Sequence, residues 1–359
     1  MSAPEPAAPT PSDAALLDVD ELRVSFATEE GVVQAVDGVT FELRAGEVLA
    51  VVGESGSGKS VTAMTLMGLT RSPNARFEGA ARYKGTELIG ASEDELRRIR
   101  GAEIAMIFQD PMTSLNPVQR IGEQIVEQIQ EHEGVPDQQA RERTVELLDR
   151  VGIPRARERV DNYPFEFSGG MRQRVMIALA LSCSPSVLIA DEPTTALDVT
   201  IQAQILHRIR ELREETGAAV ILVTHDLGVV ADIADRIAVM YAGRIVEQGT
   251  LDQIFYDPQH PYTWGLLGSI TRVDKPRPER LPAIPGLPPS LADRPEGCHF
   301  RPRCPYEFAE CSKVPPLEAR VGGRSAHLDR CWLSVEEKRD QREIRPGEIG
   351  LSAAEGTAA

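Results

Sequence analysis

A glycine-rich loop at residues 53–60, placed between an apolar strand and an apolar helix, constrains the fold more than any other feature. EVLAVV before the loop predicts a buried strand, and VTAMTLMGL after it predicts a helix. Glycines let backbone N–H groups turn toward phosphate oxygens, and the helix start adds positive potential. A glycine turn without this role is the disfavoured alternative, given both flanks. The sequence therefore predicts a phosphate-binding loop made by Gly53, Ser55, Gly56, Ser57, Gly58, Lys59 and Ser60.

Two residues of this loop have predicted roles toward a nucleotide. The ammonium group of Lys59 is expected to reach the β- and γ-phosphates, and the hydroxyl of Ser60 is expected to bind Mg²⁺. A second run, VLIADE, predicts a buried strand that ends in Asp191 and Glu192. Asp191 can hold Mg²⁺, and Glu192 can orient or deprotonate an attacking water. A strand ending in two carboxylates is common by itself, but together with the loop it predicts ATP hydrolysis.

A third motif places a serine and two glycines, Ser168, Gly169 and Gly170, at the start of an apolar helix. The first N–H groups of a helix have no partner within the helix and attract anions. The sequence therefore predicts a second anion-binding helix terminus in the same chain.

Composition narrows the class of protein. The chain has 359 residues, of which 42% are hydrophobic, enough for one large or two modest cores. The formal net charge is -16, so nucleic acid is not an expected partner. The first residues lack the pattern of a signal peptide, and no apolar run reaches the roughly 18 residues of a membrane-spanning helix. We expect a cytosolic protein that meets a membrane only through other proteins.

Alternating strand and helix patterns predict an α/β fold with a largely parallel sheet. We divide the chain into a disordered leader, an ATPase domain that includes a helical subdomain, a loop-rich C-terminal extension and a polar tail. Their expected bounds are 1–15, 16–255 with the helical subdomain at about 93–165, 256–332 and 333–359.

An ordered set of motifs carries a family resemblance. After the phosphate loop come Gln109 in MIFQDP, SGGMRQ, IADEP, Ala196-Leu197-Asp198 and Thr224-His225-Asp226. In this order, from roughly Leu17 to Gln253, the chain resembles the ATP-binding subunit of ABC transporters, with a P-loop ABC-type ATPase domain. Any single motif could arise by chance, so the specificity lies in the ordered set.

The resemblance implies roles for further residues. In that family two ATPase domains face head to tail, so Ser168 and Gly170 would contact the γ-phosphate bound by the partner subunit. Gln109 would bind Mg²⁺ and sense the γ-phosphate, and His225 would hydrogen-bond it. Asp198 would couple the two sites, and Phe26 would stack on adenine. A structural strand-end histidine and a core phenylalanine are the alternatives for His225 and Phe26.

Segments beyond the ATPase core extend the resemblance to nearly the whole chain. His260-Pro261-Tyr262-Thr263, PGLPP and GCHFRPRCP resemble the C-terminal extension of oligopeptide and dipeptide importer ATPases, a family that also includes nickel importers. The implied partners are a second, paralogous ATPase subunit, two membrane permease subunits and an extracellular substrate-binding protein. The chain would lie peripherally on the cytoplasmic side of the cell membrane, docked through residues 110–117. The alternative functions are a nickel or metal-complex importer ATPase of the same family and a soluble ABC-type ATPase with an iron–sulfur domain acting on nucleic acid.

Four of the five cysteines, Cys298, Cys304, Cys311 and Cys331, lie in one C-terminal stretch. In a reducing cytosol such clustering favours a metal over disulfides. The C-x5-C-x6-C-x19-C spacing does not fit the paired C-x2-C knuckles of common zinc sites, and loops can wrap a bulkier [4Fe–4S] cluster. Zinc, held by the four thiolates or with His299 or His327 replacing one of them, and metal-free structural cysteines remain alternatives.

Overall fold

The computed structural model describes residues 15–110, 114–193, 199–269, 283–319 and 327–342. The strands are β1 (Leu17–Thr28), β2 (Gly31–Leu43), β3 (Val48–Val52), β4 (Ala75–Tyr83), β5 (Thr86–Glu87), β6 (Ile104–Ile107), β7 (Val187–Asp191), β8 (Ala219–Thr224), β9 (Arg236–Tyr241), β10 (Arg244–Thr250), β11 (Glu318–Ala319) and β12 (Leu328–Asp329). The α-helices are α1 (Lys59–Leu66), α2 (Glu93–Ile99), α3 (Ile121–Glu133), α4 (Asp137–Arg150), α5 (Ala156–Arg159), α6 (Gly169–Leu181), α7 (Val199–Thr216), α8 (Leu227–Ile233), α9 (Leu251–Tyr256), α10 (Pro261–Gly268) and α11 (Val335–Gln341).

An eight-stranded sheet in the order β11-β12-β10-β9-β3-β8-β7-β6 forms the centre of the molecule. The five strands from β9 to β6 run parallel. Successive residues of a strand point to opposite faces. In β3, Val48, Ala50 and Val52 pack into one hydrophobic core, whereas Leu49 and Val51 pack into the other. Both faces are covered, which explains the continuous apolar runs of the sequence.

The second core lies between the central sheet and a four-stranded antiparallel sheet in the order β2-β1-β4-β5. Phe26 lies near the end of β1, opposite Val33 of β2 and Ala75 of β4. Its side chain is half-buried and packs against this core. The position therefore fits a core phenylalanine, the alternative to adenine stacking, and leaves part of the Phe26 ring accessible.

Helices α3 to α6 cover one side of the central sheet, but the range predicted as helical subdomain needs a correction. Residues 93–165 include β6, which pairs in parallel with β7 and belongs to the central sheet. In the sequence, this short buried strand lies between the helical patterns of α2 and α3. Helix α2 begins with a capping box formed by Ser92 and Glu95, the local reason for its start.

The C-terminal extension, predicted to be loop-rich, joins the ATPase domain. Strand β12 pairs with β10 at the edge of the central sheet, and β11 pairs with β12. Tyr262 and Phe300 belong to the same hydrophobic core as β3 and β7. The extension thus shares a sheet and a core with the nucleotide-binding part.

The polar tail predicted from residue 333 also begins later than expected. Residues Val335–Gln341 form α11, capped by Ser334 and Glu337, and Lys338 is fully buried against Asp329. The buried ion pair orders a segment whose sequence looks entirely solvent-facing. Residues 1–14 and 343–359 of the predicted leader and tail lie outside the described residues. No helix within the described ranges has the length and apolar character needed to cross a membrane.

Candidate nucleotide site

The predicted nucleotide residues gather where the parallel strands end. Strand β3 leads into Gly53, β8 into His225 and β7 into Glu192, and Gln109 follows β6. Because neighbouring parallel strands end at one edge of the sheet, the four segments lie side by side. In open α/β sheets ligands bind at this carboxyl edge. The chain topology thus brings together motifs that lie far apart in sequence.

Close backbone contacts explain two glycines of the phosphate loop. A Cβ on Gly53 would clash with the carbonyl oxygen of Met240, and one on Gly58 would clash with that of Ala35. Gly58 also has φ +104°, a conformation that L side chains rarely adopt. Gly56 faces open space, because a Cβ placed there would meet no atom within 4 Å. The loop is therefore fixed at its base and open where phosphate groups would approach.

Lys59 occupies the inside of the loop. Its ammonium group donates to the carbonyl oxygens of Gly53 at 2.8 Å and Glu54 at 3.0 Å. Burial lowers the pKa of Lys59, and the carboxylates of Glu192 and Asp191 oppose that shift. Lys59 thus provides a shielded positive group beside the open face of the loop. The hydroxyl of Ser57 is also buried and has no hydrogen-bond partner within the described residues, so it can serve a ligand.

Ser60 and Asp191, the predicted Mg²⁺ ligands from two different motifs, are in direct contact. The Ser60 hydroxyl donates to Oδ1 of Asp191 at 2.9 Å. Burial raises the pKa of Asp191, while this hydrogen bond lowers it. A hydroxyl and a carboxylate side by side are the oxygen ligands that Mg²⁺ prefers. The residues present therefore fit a magnesium site.

Gln109, the third predicted Mg²⁺ ligand, contacts Glu192 instead. Its amide Nε2 donates to Oε2 of Glu192 at 3.0 Å. The other carboxylate oxygen, Oε1, accepts from Nδ1 of His225 at 3.2 Å. Glu192 has φ +46°, and for a residue other than glycine this conformation costs about 1–3 kcal/mol. The three residues predicted to be catalytic thus form one connected group, which holds the Glu192 carboxylate between two side chains.

The predicted second anion site begins α6. Ser168 caps this helix, and its hydroxyl accepts from the N–H of Met171 at 3.4 Å. A Cβ on Gly169 would meet no atom within 4 Å, so the helix start is open. The buried amide of Gln173 donates to the carbonyl oxygen of Pro193 at 2.6 Å. This bond, which the sequence analysis missed, ties the second anion site to the strand end that carries Asp191 and Glu192.

Three further residues at the phosphate loop were also missed. The carboxylate of Glu54 accepts hydrogen bonds from Arg303, and the backbone N–H of Glu54 donates to the hydroxyl of Tyr262. Both partners lie in the extension, more than 200 residues later in the chain. Tyr262 lies in the His260-Pro261-Tyr262-Thr263 segment and Arg303 beside Cys304, but neither motif carries a signal for a nucleotide. Asp198, predicted to couple two sites, lies outside the described residues.

The four C-terminal cysteines line one small cavity of about 10 Å³. None of them forms a disulfide. Burial raises the pKa of Cys304 and of Cys331 to about 12, and it also raises that of Cys298. Within the ranges that the structure describes, no three His, Cys, Asp or Glu side chains are arranged to hold a single metal ion. The cavity nevertheless brings all four predicted thiol ligands to one place.

The two histidines considered as replacement ligands are engaged elsewhere. Nδ1 of His299 hydrogen-bonds the carbonyl oxygen of Ala242 at 2.9 Å, and Nε2 of His327 donates to Glu247 at 2.9 Å. Neither histidine lines the cysteine cavity. The replacement of one thiolate by His299 or His327 therefore finds no support in this arrangement, although His260 does line the cavity.

Comparisons with known proteins identify the relatives of this chain. Residues 36–195 match the ABC transporter family, and residues 246–311 match the oligopeptide/dipeptide transporter C-terminal region. The oligopeptide transport ATP-binding protein OppD of Salmonella typhimurium is 53% identical, over 94% of this chain and 99% of its own length. The dipeptide transport ATP-binding protein DppD of Bacillus subtilis is 52% identical, over 89% of this chain and 94% of its own length.

A solved structure has the same fold. The dimeric ATP-binding cassette MJ0796, in a post-hydrolysis state bound to ADP and Pi, superposes with a TM-score of 0.59 and 28% sequence identity. The match covers 66% of this chain and 98% of that cassette. The predicted α/β P-loop fold and the predicted resemblance are thereby confirmed. The chain belongs to the family of ATP-hydrolysing ABC transporter subunits that carry the oligopeptide/dipeptide transporter C-terminal region.

Proposed function

We propose that this chain hydrolyses ATP to power the uptake of di- or oligopeptides across a bacterial cytoplasmic membrane. The observation that carries the proposal is the connected site at the sheet edge, with Lys59 inside the phosphate loop, Ser60 on Asp191, and Glu192 between Gln109 and His225. The identity to relatives named for oligopeptide and dipeptide transport, over most of this chain, supports a peptide cargo.

Each side chain has a role in hydrolysis. Lys59 neutralises the β- and γ-phosphates, and Ser60 and Asp191, with Gln109 after a rotation away from Glu192, would hold Mg²⁺. Bound Mg²⁺ supplies charge neutralisation for the phosphate oxygens. Glu192 accepts a proton from water while the water oxygen bonds to the γ-phosphorus and the bond to ADP breaks. His225, whose side chain is 60% exposed, is free to turn from Glu192 toward the γ-phosphate.

We propose that the site is completed by a second, paralogous ATPase subunit. The open helix start at Ser168, Gly169 and Gly170 belongs to an anion site that this proposal assigns to the partner's ATP. Two permease subunits would span the membrane and an extracellular binding protein would select the cargo. The chain would lie peripherally on the cytoplasmic side, and nucleic acid would be no partner, consistent with the net charge of -16.

The permease is expected to dock near residues 110–117, and an exposed residue beside this segment is needed to probe the docking. Leu115 is buried in the hydrophobic core, and Met112 lies outside the described residues. A change at Leu115 would therefore disturb packing rather than docking. Val118, just beyond this segment, is 82% exposed and is the better probe. Replacing Val118 by Asp should weaken assembly with the permease and leave nucleotide binding by the single chain intact.

Reconstitution tests the proposed transport. The chain, its paired ATPase, the permeases and the binding protein are placed in liposomes, and uptake of labelled di- and oligopeptides is measured with ATP on the cytoplasmic side. We expect uptake that disappears in Lys59→Ala. ATP-driven uptake of nickel complexes, with no peptide uptake, would instead assign the nickel branch of the family. Stimulation of ATP hydrolysis by DNA or RNA alone would favour the soluble rival.

We also propose that the four cysteines bind a [4Fe–4S] cluster. All four thiols line one cavity, and their C-x5-C-x6-C-x19-C spacing does not fit the paired C-x2-C knuckles of common zinc sites. Ligands of a cluster can be more widely spaced in sequence, because loops can wrap around the bulkier group. The cavity would have to widen around it. The cluster would cross-link and stabilise loops that contain little regular secondary structure.

The cluster is tested by purifying the complex without oxygen and recording its absorption spectrum with iron, sulfide and zinc analyses. We expect a brown protein with about four irons per chain. A colourless protein with one zinc per chain would establish the zinc alternative. A protein that contains neither iron nor zinc would establish metal-free structural cysteines. Cys304→Ser should remove the colour without removing ATP binding.

A further inference from the structure

The extension reaches the phosphate loop through one arginine and one tyrosine. The guanidinium of Arg303 donates to both carboxylate oxygens of Glu54, with Nη1–Oε2 at 2.6 Å and Nη2–Oε1 at 3.0 Å. The hydroxyl of Tyr262 accepts from the backbone N–H of Glu54 at 2.9 Å. Glu54 is the second residue of the loop, so the extension holds this residue by both its side chain and its backbone.

These contacts are shielded and rigid. The Arg303 side chain is only 4% exposed, and Tyr262 is fully buried. Arg303 also donates to the carbonyl oxygens of Pro285 at 2.9 Å and Ile284 at 3.3 Å, which fixes the plane of its guanidinium. A bidentate pair with an ionised carboxylate is strong and specific in direction. The arrangement therefore restricts the position of Glu54.

The same contact places charge beside the phosphate site. The carbonyl of Glu54 accepts from Lys59, and the Glu54 carboxylate interacts electrostatically with the Lys59 ammonium group. Without Arg303, the negative charge of Glu54 would stay near the incoming phosphates and compete for Lys59. Arg303 thus has two effects at once, because it fixes the loop and neutralises a carboxylate that would repel ATP.

We propose that Arg303, supported by Tyr262, is a positioning residue for ATP, through which the C-terminal extension sets the nucleotide affinity of the phosphate loop. A loop that is already ordered loses less conformational entropy when it binds a ligand. The reacting atoms lie elsewhere in the site, at Glu192 and the γ-phosphate. The effect should consequently fall on nucleotide binding and leave the chemical step nearly unchanged.

The test measures KM for MgATP and kcat of the assembled transporter with Arg303→Gln. We expect KM to rise about 10-fold, the scale of coupling within one charged network, with kcat within about 2-fold of the wild type. Arg301→Gln is the matched control. Arg301 lies in the same 3₁₀ turn, Arg301–Arg303, but pairs with Glu307 at 3.2 Å near the surface. The KM of the Arg301→Gln transporter for MgATP should stay unchanged.

A second substitution separates positioning from mere folding of the extension. If the negative charge of Glu54 weakens ATP binding once Arg303 is replaced, Glu54→Gln in the Arg303→Gln background should bring KM back toward the wild-type value. A structural role alone predicts no such rescue. Iron and zinc are measured in every variant, so that a lost metal is not mistaken for a lost contact.

Milder variants keep the test informative if Arg303→Gln fails to assemble. Arg303→Lys keeps the charge but cannot make the bidentate pair, and Tyr262→Phe removes the acceptor of the Glu54 N–H. Each should raise KM by a smaller factor than Arg303→Gln. The proposal is overturned if Arg303→Gln or both milder variants leave KM unchanged, if Arg301→Gln raises it equally, or if kcat falls while KM stays constant.

Discussion

The nucleotide site and the C-terminal extension both contain clustered charges, but the two regions arrange them differently. Asp329 of the extension and Lys338 of the helix that follows it form an ion pair with side chains 1% and 0% exposed. At the nucleotide site Glu192 contacts the largely exposed His225 and the amide of Gln109. A buried pair with a fixed partner stabilises a fold, whereas a carboxylate between movable side chains can exchange partners during a reaction. The difference predicts where substitutions affect turnover and where they affect stability.

The largest expected effect is on turnover, at Glu192. Glu192→Gln should lower ATP hydrolysis by the assembled transporter about 10²–10⁴-fold and retain ATP binding, because the amide cannot accept the proton of the attacking water. Phosphate release and bound nucleotide are measured on the same samples. Glu214→Gln, an exposed change on α7, is the control for the lost charge. Near-normal turnover in Glu192→Gln would remove Glu192 from the role of base.

The next effect concerns stability, in the extension. Lys338→Met removes the buried cation that faces the Asp329 carboxylate and should lower the free energy of unfolding by about 3–5 kcal/mol. Both tryptophans, Trp264 and Trp332, lie in the extension, so their fluorescence during urea unfolding reports this region. Lys84→Met, which breaks an exposed pair with Glu103, should cost about 1 kcal/mol or less. Equal losses in the two variants would contradict the contrast between buried and exposed charges.

A smaller effect is expected for nucleotide affinity at Lys59. Lys59→Ala removes charge compensation at the phosphates and should weaken MgATP binding about 10–100-fold, the range for hydrogen bonds to charged groups. Equilibrium binding of a fluorescent ATP analogue measures the change. Lys313→Ala, an exposed site in the extension, removes the same charge far from the loop and should bind normally. Unchanged binding in Lys59→Ala would place the phosphates elsewhere.

The smallest effect is predicted at the start of α6. Ser168→Ala should leave ATP binding by the single chain unchanged but lower turnover of the assembled transporter about 5–10-fold, the scale of one ordinary hydroxyl hydrogen bond lost in the partner's site. Ser184→Ala, at an exposed serine past the other end of the same helix, is the control. Weaker ATP binding by the single Ser168→Ala chain would assign this helix to the chain's own site.

The meeting of the candidate nucleotide residues at one sheet edge was predictable, because their segments follow buried strands. Once β3, β6, β7 and β8 are recognised as parallel neighbours, their following residues must meet at one edge. The contact of Gln109 with Glu192 was not predictable, because a side chain of this length can reach either a metal ion or a neighbouring carboxylate.

The role of the extension was much harder to predict. Arg303 and Glu54 are 249 positions apart, and no periodicity links them. Helix α11 had a usable signal in the Ser334-x-x-Glu337 capping box, but its polar sequence was interpreted as a tail. Lys338 can be buried because the Asp329 carboxylate balances its positive charge. Such an ion pair becomes visible only in three dimensions.

The most direct test of ATP hydrolysis at this site records bound nucleotide and released phosphate in one MgATP titration of the wild-type assembled transporter. We predict that both signals saturate over the same ATP range and that phosphate release requires Mg²⁺. Saturable ATP binding with no phosphate release, or phosphate release that persists in Glu192→Gln, would contradict the account.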